Sequence, residues 1–368
     1  RYEQDAGLPV AIEARSNRRT FYPSNGEVFA PDGTNVIRMT LNSNSFVDFA
    51  HSYLQFKVTN KTLADGNGGV VNVAPDFGLP FFNRLQIMSG GTELEDIQEW
   101  SRLYATLQGV QGSIMNDNDI ELTHNRQPGN ALPDEGDGQD LTIAGEAAGN
   151  GNSKTYNVPL FSGIFNVDKY FPLLLTDQGL DLYFYVNPAV DIGTWTDPQG
   201  GAPATGFRYQ ISEFKYVAHE VILQDNFVNQ MKQSMMATGG MLSMSSTTYR
   251  YYSYNKPANQ TGHLTIPISV RVKSLKALLV RPQNVGLTGS YANQSQSVGQ
   301  HMGITSAQFR IGSVLYPQSA IKFSRDPADR NLGEMYNEVR KAFGTLSSYS
   351  HGTQLDADTF GVNATCTV

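Results

Sequence analysis

The stretch that decides the fold covers residues 81–109, FFNRLQIMSGGTELEDIQEWSRLYATLQG. In its first part, Leu85 and Ile87 alternate with polar residues, which predicts a half-buried strand. Gly90 and Gly91 then supply the positive-φ positions of a two-residue hairpin turn into a second strand. After that strand, apolar residues recur at helical spacing, and the final glycine of the stretch is the predicted C-terminal cap. These apolar residues are Ile97, Trp100, Leu103, Tyr104 and Leu107.

The same order of elements recurs near the other end of the chain. Residues 307–344 are AQFRIGSVLYPQSAIKFSRDPADRNLGEMYNEVRKAFG, with a turn at Gly312 between two strands and a helix that ends at Gly344. An alternating strand precedes each hairpin, at residues 52–58 and 274–280, and the spacing is nearly the same. Since residue identity between the copies is weak, order and spacing predict a duplicated β domain with one helix in each copy. The second helix has Leu332, Met335, Tyr336, Val339 and Phe343 on one face.

Composition favours β-sandwiches with long loops. Of the 368 residues, 40% are hydrophobic and only 17% are charged, with 35 Gly and 17 Pro. The net charge of −7 disfavours nonspecific attraction to nucleic acid, and no direct sequence-specific nucleic-acid binding is expected. One basic cluster, at Arg15, Arg18 and Arg19, is suited to phosphate or lipid head groups, but a solvated arm is the favoured interpretation.

Two further absences in the sequence bound the class of protein. Cys366 is the sole cysteine, so the chain forms no intrachain disulfide and no Cys-based zinc site. No run approaches 18 apolar residues, so no membrane-spanning helix is expected. Stability is therefore expected to come from packing and from assembly.

The predicted organisation is a pair of consecutive β-sandwiches. It consists of an N-terminal arm (1–24), a first sandwich (25–228) with an exposed loop insertion (113–155), a connector (229–247) and a second sandwich (248–368). The predicted strands are 35–41, 46–58, 156–167, 180–186 and 209–223 in the first sandwich and 249–253, 263–272 and 275–281 in the second, with a helical segment at 225–236.

The second copy has far fewer residues after its helix than the first copy has. A sandwich without its closing strands exposes unpaired edges and half a core. We therefore expect that the second sandwich lacks its C-terminal strands here and that the native protein is longer. An intact mass of 40.4 kDa for native material would contradict this expectation.

Signals for catalysis and for ligands are weak. The histidines form no HxH or HExxH pair and no GxSxG elbow occurs, so the histidines are interpreted as strand or loop residues. Residues 149–154, GNGNSK, lack the order of a phosphate loop. Two acidic runs suit Ca²⁺ chemically, but solvated loops are the favoured interpretation. No catalytic, cofactor-binding or metal-binding residue, no cofactor and no enzyme activity is therefore predicted. The residues weighed are His51, His124, His219, His263, His301 and His351, the runs Asp117, Asp119, Glu121 and Asp134, Glu135, Asp137, Asp140, and the sequons at Asn60, Asn259, Asn293 and Asn363.

Several segments together resemble a known family. These are FVDFAHSYLQFKVTN (46–60), FFNRLQIMSGGTELEDI (81–97), YQISEFKYVAHEVIL (209–223), HLTIPISVRVKSLKALLVRPQN (263–284) and FRIGSVLYP (309–317). Over about residues 25–345 their order is similar to that of the double jelly-roll major capsid proteins of tailless icosahedral viruses. That lineage includes adenovirus hexon, membrane-containing bacteriophages, nucleocytoplasmic large DNA viruses, virophages and polinton-like viruses.

The resemblance implies an all-β chain of two consecutive jelly rolls that is located in the virion capsid. It implies a homotrimer with a pseudo-hexagonal outline, tiling an icosahedral shell beside neighbouring capsomers, penton and minor capsid proteins. On the same grounds residues 113–155 would form a tower loop, and the N-terminal arm would contact neighbours or an internal membrane.

Two other classes of function stay open at this stage. One is a carbohydrate-binding β-sandwich, a lectin or receptor-binding spike, because the tyrosine-rich residues 249–254 can stack on sugars. The other is a jelly-roll enzyme of the cupin type, which requires clustered histidine and carboxylate metal ligands.

Overall fold

The computed structural model describes most of the first half and part of the second half of the chain. The described residues are 14–61, 70–73, 79–111, 140–141, 153–167, 169–176, 178–196, 208–237, 239, 245–257, 259–283, 303–324, 326 and 328–342. The strands are β1 (Ala14–Phe21), β2 (Val28–Phe29), β3 (Val36–Leu41), β4 (Phe46–Asn60), β5 (Val70–Val73), β6 (Phe82–Ser89), β7 (Thr92–Gln98), β8 (Asp140–Leu141), β9 (Ser153–Val158), β10 (Leu180–Val186), β11 (Gly193–Thr196), β12 (Tyr209–Leu223), β13 (Ser306–Ile311) and β14 (Val314–Lys322). The helices are α1 (Trp100–Gln111), α2 (Asp225–Ala237) and α3 (Gly333–Ala342).

Eight strands of the first half form two antiparallel sheets with jelly-roll topology. The first sheet has the order β1-β12-β4-β9, and the second has the order β3-β10-β6-β7. Counted along the chain, the first sheet contains the first, eighth, third and sixth of these strands, and the second contains the second, seventh, fourth and fifth. This interleaving is that of two Greek keys closed on each other, the jelly roll. The predicted fold class is confirmed, and residues 14–223 form one complete jelly roll, called the first roll below.

The strands of the first roll form where apolar and polar residues alternate. In β10, for example, Leu180, Leu182 and Phe184 are buried while the residues between them are partly exposed. The β6–β7 hairpin turns at Gly90 and Gly91, whose φ angles are 56° and 79°. Positive φ at both central residues matches the twist of the flanking strands, so the predicted glycine turn is confirmed.

The space between the two sheets is filled by aromatic rings. The Phe56 ring lies at the centre, with centroids 5.7 Å from Phe81, 5.3 Å from Phe82 and 5.3 Å from Tyr156. Edge-to-face and offset contacts at these distances are favourable beyond simple area burial. Burial raises the pKa of the Tyr156 hydroxyl, so this side chain stays neutral inside the core.

The first roll begins earlier than the sequence predicted. Residues 1–24 were predicted to be an arm, but β1 lies within them and pairs along its length with β12. Six of its eight residues are exposed, so hydrogen bonds to β12 define this strand and an apolar pattern does not. Only Phe21 of β1 is buried in the core. Residues 14–21 therefore belong to the first sheet, and residues 1–13 lie outside the described part.

Two other local predictions need correction. The strand predicted at 156–167 is shorter, because β9 ends at Val158 and the chain then forms a turn in which the Asn166 N–H donates to the Ser162 carbonyl. The helix predicted to end at Gly109 continues to Gln111. Glycine is less favourable than alanine within a helix by about 1 kcal/mol, and the tertiary context routinely overrides a propensity of this size.

In the second half, the predicted hairpin and helix are present. β13 pairs with β14, and α3 follows, although the predicted cap Gly344 lies outside the described residues. A small core forms between the end of this hairpin and the helix. Its buried members are Ile321, Phe323, Met335 and Val339.

The strands predicted at 249–253, 263–272 and 275–281 are not formed, although these residues are described. The first roll supplies a physical reason. There β1, β3 and β4 are all hydrogen-bonded to strands that follow α1 in the chain, whereas β6 and β7 pair with each other. A hairpin therefore forms from local contacts alone, but the three strands that precede it need partners from beyond the helix.

The position of Phe56 predicts a large loss of stability on truncation. Replacing Phe56 with Ala removes a ring that is fully buried among other rings, so the free energy of unfolding should fall by about 3–5 kcal/mol. Urea denaturation followed by tryptophan fluorescence measures this change. Tyr22→Ala is the matched control, because Tyr22 is 66% exposed and its loss should change stability by less than about 0.5 kcal/mol. Equal effects of the two substitutions would contradict the described core.

Candidate functional site

A buried carboxylate anchors the turn that follows β9. Glu95 on β7 is 1% exposed, and it accepts hydrogen bonds from the Gly163 N–H at 2.9 Å and the Ile164 N–H at 3.3 Å. Charged acceptors form the stronger hydrogen bonds, and two backbone donors offset the cost of burying the carboxylate. The Trp100 indole N–H also donates to the carbonyl of Phe161, at 2.7 Å. Strand β7 and helix α1 thus hold the same turn.

The second half of the chain crosses this turn at close range. A Cβ atom on Gly163 would lie 1.5 Å from the Thr247 carbonyl oxygen, so only glycine permits the crossing. Tyr249 is partly buried against the core of the first roll. Burial, together with the charge of Glu95, raises the pKa of the Tyr249 hydroxyl. We call the residues Glu95, Gly163, Thr247 and Tyr249 the junction.

A second attachment point lies on α1. The Arg281 guanidinium donates to the Arg102 carbonyl and to the Thr106 hydroxyl, each at 3.2 Å. Arg281 is the last residue of the predicted strand at 275–281, so these hydrogen bonds connect that segment to the first roll. The inner face of α1 is buried, with Trp100 and Tyr104 both 0% exposed. One helix therefore contacts the core of the first roll and the second half of the chain.

The structure brings together two histidines that are remote in sequence. The rings of His51 on β4 and His219 on β12 have centroids 6.1 Å apart. His51 Nδ1 lies 2.7 Å from an Asp48 carboxylate oxygen. Among the residues that the structure describes, no group of three or more His, Cys, Asp or Glu is placed to hold a metal ion. His263 is exposed, and His124, His301 and His351 lie outside the described residues.

The basic cluster lies on β1 and is engaged in contacts. Arg18 donates to the Tyr53 hydroxyl at 3.0 Å, and Arg19 lies 3.4 Å from Glu220, a carboxylate that is 3% exposed. Arg15 is exposed at the start of the strand. These contacts replace the predicted solvated arm with an edge strand of the first sheet.

The other residues weighed in the sequence divide between buried, exposed and undescribed positions. Asn60 is 3% exposed at the end of β4, which is incompatible with a glycan at that sequon in the folded state. Asn259 is exposed, and Ser153 and Lys154 of the glycine-rich segment belong to β9. The acidic run at Asp117, Asp119 and Glu121, the run at Asp134, Glu135 and Asp137, the sequons at Asn293 and Asn363, and Cys366 lie outside the described residues.

The hairpin of the second half presents an exposed apolar face. Ile311 is 52% exposed, Val314 is 49% and Tyr316 is 51%, and all three lie on one side of the hairpin. The corresponding face of the β6–β7 hairpin is covered, since Leu85 and Ile87 are 0% exposed. This face is therefore the equivalent of a core face of the first roll. Within the described residues, no helix is both long and apolar enough to cross a membrane.

Comparisons with known proteins give fold similarity to viral major capsid proteins. No protein-family model matches the chain, and no curated protein matches it in sequence. The structure is similar to PBCV-1 VP54, as fitted into a reconstruction of the virophage Sputnik, at TM-score 0.41 and 11% identity, covering 62% of this chain and 47% of that chain. It is similar to the Faustovirus major capsid protein at TM-score 0.39 and 9% identity, covering 64% and 58%. It is also similar to a chain of the Sputnik virophage at TM-score 0.38 and 12% identity, covering 61% and 51%. The chain thus spans about half the length of these solved chains.

The close approach at the junction predicts the effect of one added methyl group. Replacing Gly163 with Ala should displace residues 247–249 from the turn and lower the free energy of unfolding by about 1–3 kcal/mol, as overpacking does. Hydrogen exchange should increase in peptides that cover residues 245–254. Gly33→Ala is the control, because the nearest atom to its added Cβ is 4.0 Å away. If Gly163→Ala leaves exchange in this segment unchanged, the described crossing is wrong.

Proposed function

We propose that this chain is a structural subunit of a viral shell, a major capsid protein that lies in the virion and catalyses no reaction. The observation that carries the proposal is the complete jelly roll of residues 14–223, followed by a second hairpin and helix in the same order. Jelly rolls of eight strands occur in viral capsid proteins, lectins and cupins. The choice among these three classes depends on the side chains inside the roll and on the residues exposed at its surface.

The interior of the first roll favours a structural role over cupin-type catalysis. A cupin binds its metal between the sheets, where histidine and carboxylate side chains must converge. Here the corresponding space holds packed rings, with Phe82 and Phe184 centroids 5.5 Å apart and Phe184 and Phe214 centroids 5.2 Å apart. His51 and His219, which do approach each other, lie on the outer face of the first sheet. Ring packing of this density supports a role carried by surfaces.

A shell subunit with two similar rolls has a natural mode of association. Three copies of a double roll present six similar units around one axis, which gives a homotrimer with a pseudo-hexagonal outline. Such trimers can tile an icosahedral shell and contact neighbouring capsomers, penton and minor capsid proteins. The partner expected for the N-terminal arm is a neighbouring subunit or an internal membrane.

A second candidate function is carbohydrate binding, which one observation favours. Tyr251, Tyr252 and Tyr254 lie close together in the sequence and are 42%, 46% and 45% exposed. Exposed tyrosine rings offer an apolar face and a hydroxyl group, the combination that contacts sugars. A lectin of this type would act as a receptor-binding spike or a free surface protein.

Size in solution separates the two functions. We expect light scattering after size-exclusion chromatography to give a mass about three times 40.4 kDa, and electron microscopy to show six-sided particles or hexagonal sheets. A monomer that binds a glycan array would contradict the capsid proposal. In that case the triple substitution of Tyr251, Tyr252 and Tyr254 by Ala should abolish glycan binding. If the protein is a shell subunit, the same triple variant should show the same absence of glycan binding as the unmodified protein.

A further inference from the structure

The outer face of the second sheet differs in composition from that of the first sheet. Its residues alternate with the core residues of β3, β10, β6 and β7, and we call this surface the tyrosine–arginine face. It includes Arg38, Arg84, Tyr183, Tyr185 and Met88. These four strands contain no lysine, whereas the first sheet contains Lys57, Lys154 and Lys215. Arginine, tyrosine and methionine are enriched at protein interfaces, and lysine is depleted there.

Contacts within the tyrosine–arginine face hold its side chains in place. The Arg84 guanidinium donates to both carboxylate oxygens of Asp96, at 2.6 Å and 2.9 Å, and it lies 5.0 Å from the centroid of the Tyr185 ring. The Arg38 guanidinium lies 5.6 Å from the centroid of the Tyr183 ring. Side chains that are already ordered lose little conformational entropy when a partner binds. The face is therefore preorganised for an interface.

One row of residues across the face carries opposite charges at its two ends. The strand ladders pair Arg38 with Tyr183, Tyr183 with Gln86, and Gln86 with Asp96. A two-fold axis parallel to the strands places a second copy face to face with the row reversed. Arg38 of each copy then lies opposite Asp96 of the other, and Tyr183 lies opposite Gln86. The Asp96 carboxylate has acceptor sites beyond those that Arg84 uses, so it can also accept hydrogen bonds from a second arginine.

The neighbouring rows are compatible with the same arrangement. The second row contains Val36, Tyr185, Arg84 and Gln98, and the third contains Thr40, Asp181, Met88 and Glu93. Reversal of the second row places each Tyr185 ring opposite Arg84 of the other copy, a favourable cation–π pairing. In the third row no two like charges meet. A two-fold axis perpendicular to the strands would instead place Arg38 against Arg38 and Asp96 against Asp96, which repulsion disfavours.

The size of the face sets the strength of the contact. Its shortest strand, β3, has 6 residues. Four strands of that length, at about 4.8 Å between strands and about 3.4 Å per residue, cover about 400 Å². A stable interface buries about 800 Å² on each partner, so this contact alone is weak and reversible.

We propose that the tyrosine–arginine face binds the same face of a second copy of this chain about a two-fold axis close to the strand direction. Sheets that pack face to face keep their strand directions within about 30° of each other, which such an axis satisfies. In a shell the contact joins subunits of neighbouring capsomers, and in a free protein it forms a weak dimer. The inference therefore does not depend on the proposed capsid function.

Sedimentation equilibrium over a concentration series tests the contact. Between about 10 and 300 µM, the range of a weak interface, the unmodified chain should show reversible doubling of its basal species. A monomer should give a species of two chains, and a trimer should give a species of six. Failure of the trimer proposal changes the basal mass, whereas failure of this inference removes the doubling. Absence of doubling over the whole range would overturn the proposal.

Variants locate the contact on the molecule. Tyr183→Ala removes a ring near the centre of the face, and Arg38→Glu places a carboxylate opposite Asp96, so each should weaken doubling by at least about tenfold. Tyr53→Ala and Lys57→Glu are the matched controls, because both residues lie on the outer face of the first sheet, and both variants should double as the unmodified chain does. Unchanged doubling in Tyr183→Ala and Arg38→Glu, or equal weakening in the controls, refutes the assignment. If Tyr183→Ala fails to fold, Arg38→Glu decides, since the Arg38 side chain is 49% exposed.

Discussion

The first roll depends on the pairing of its two last strands with strands made much earlier in the chain. β12 lies between β1 and β4, and β10 lies between β3 and β6, so each sheet is joined at its centre by a late strand. The aromatic core forms only when these strands are in place, since Phe184 of β10 and Phe214 of β12 close the ring cluster. Contacts of this kind join residues far apart in sequence, and the loop-closure entropy must be overcome before they stabilise the fold.

The same constraint explains the difference between the two halves of the chain. The β6–β7 and β13–β14 hairpins need only local contacts, and both are formed with a helix after them. Residues 263–281 contain the alternation of a strand, yet in the described structure they form no strand, and only Val280 takes part in a β-bridge. Alternation gives a segment the capacity to form a strand, but hydrogen bonds to a neighbour complete it. The exposed apolar face of β13–β14 has the same origin, because the equivalent face of β6–β7 is covered by the opposite sheet.

Sequence patterns predicted the elements whose burial alternates. β4, β10 and β12 lie where the apolar residues indicated, and the glycine turn of β6–β7 is as expected. The sequence did not predict β1, because its residues are mostly polar and exposed and show no hydrophobic periodicity. The proximity of His51 and His219 was not predicted for another reason. It depends on the register of β4 with β12 and on a bulge, and neither can be read from a single sequence. Gly163 carries no local signal either, since the atom that excludes a side chain there belongs to Thr247.

Helix α1 gives the two halves a shared element, and this limits how independently they can change. Its inner face packs Trp100 against Phe82 and Tyr104, with ring centroids 6.2 Å and 5.2 Å away, within the core. Its Thr106 hydroxyl and Arg102 carbonyl accept hydrogen bonds from the guanidinium of Arg281 in the second half. The turn that the Trp100 indole holds also lies beneath the crossing at Gly163. Packed cores transmit strain because they contain few voids. A substitution in the core beneath α1 should therefore disturb both the Arg281 hydrogen bonds and the crossing at Gly163. The relative placement of the two halves is therefore set by the core of the first roll, through one helix and one turn.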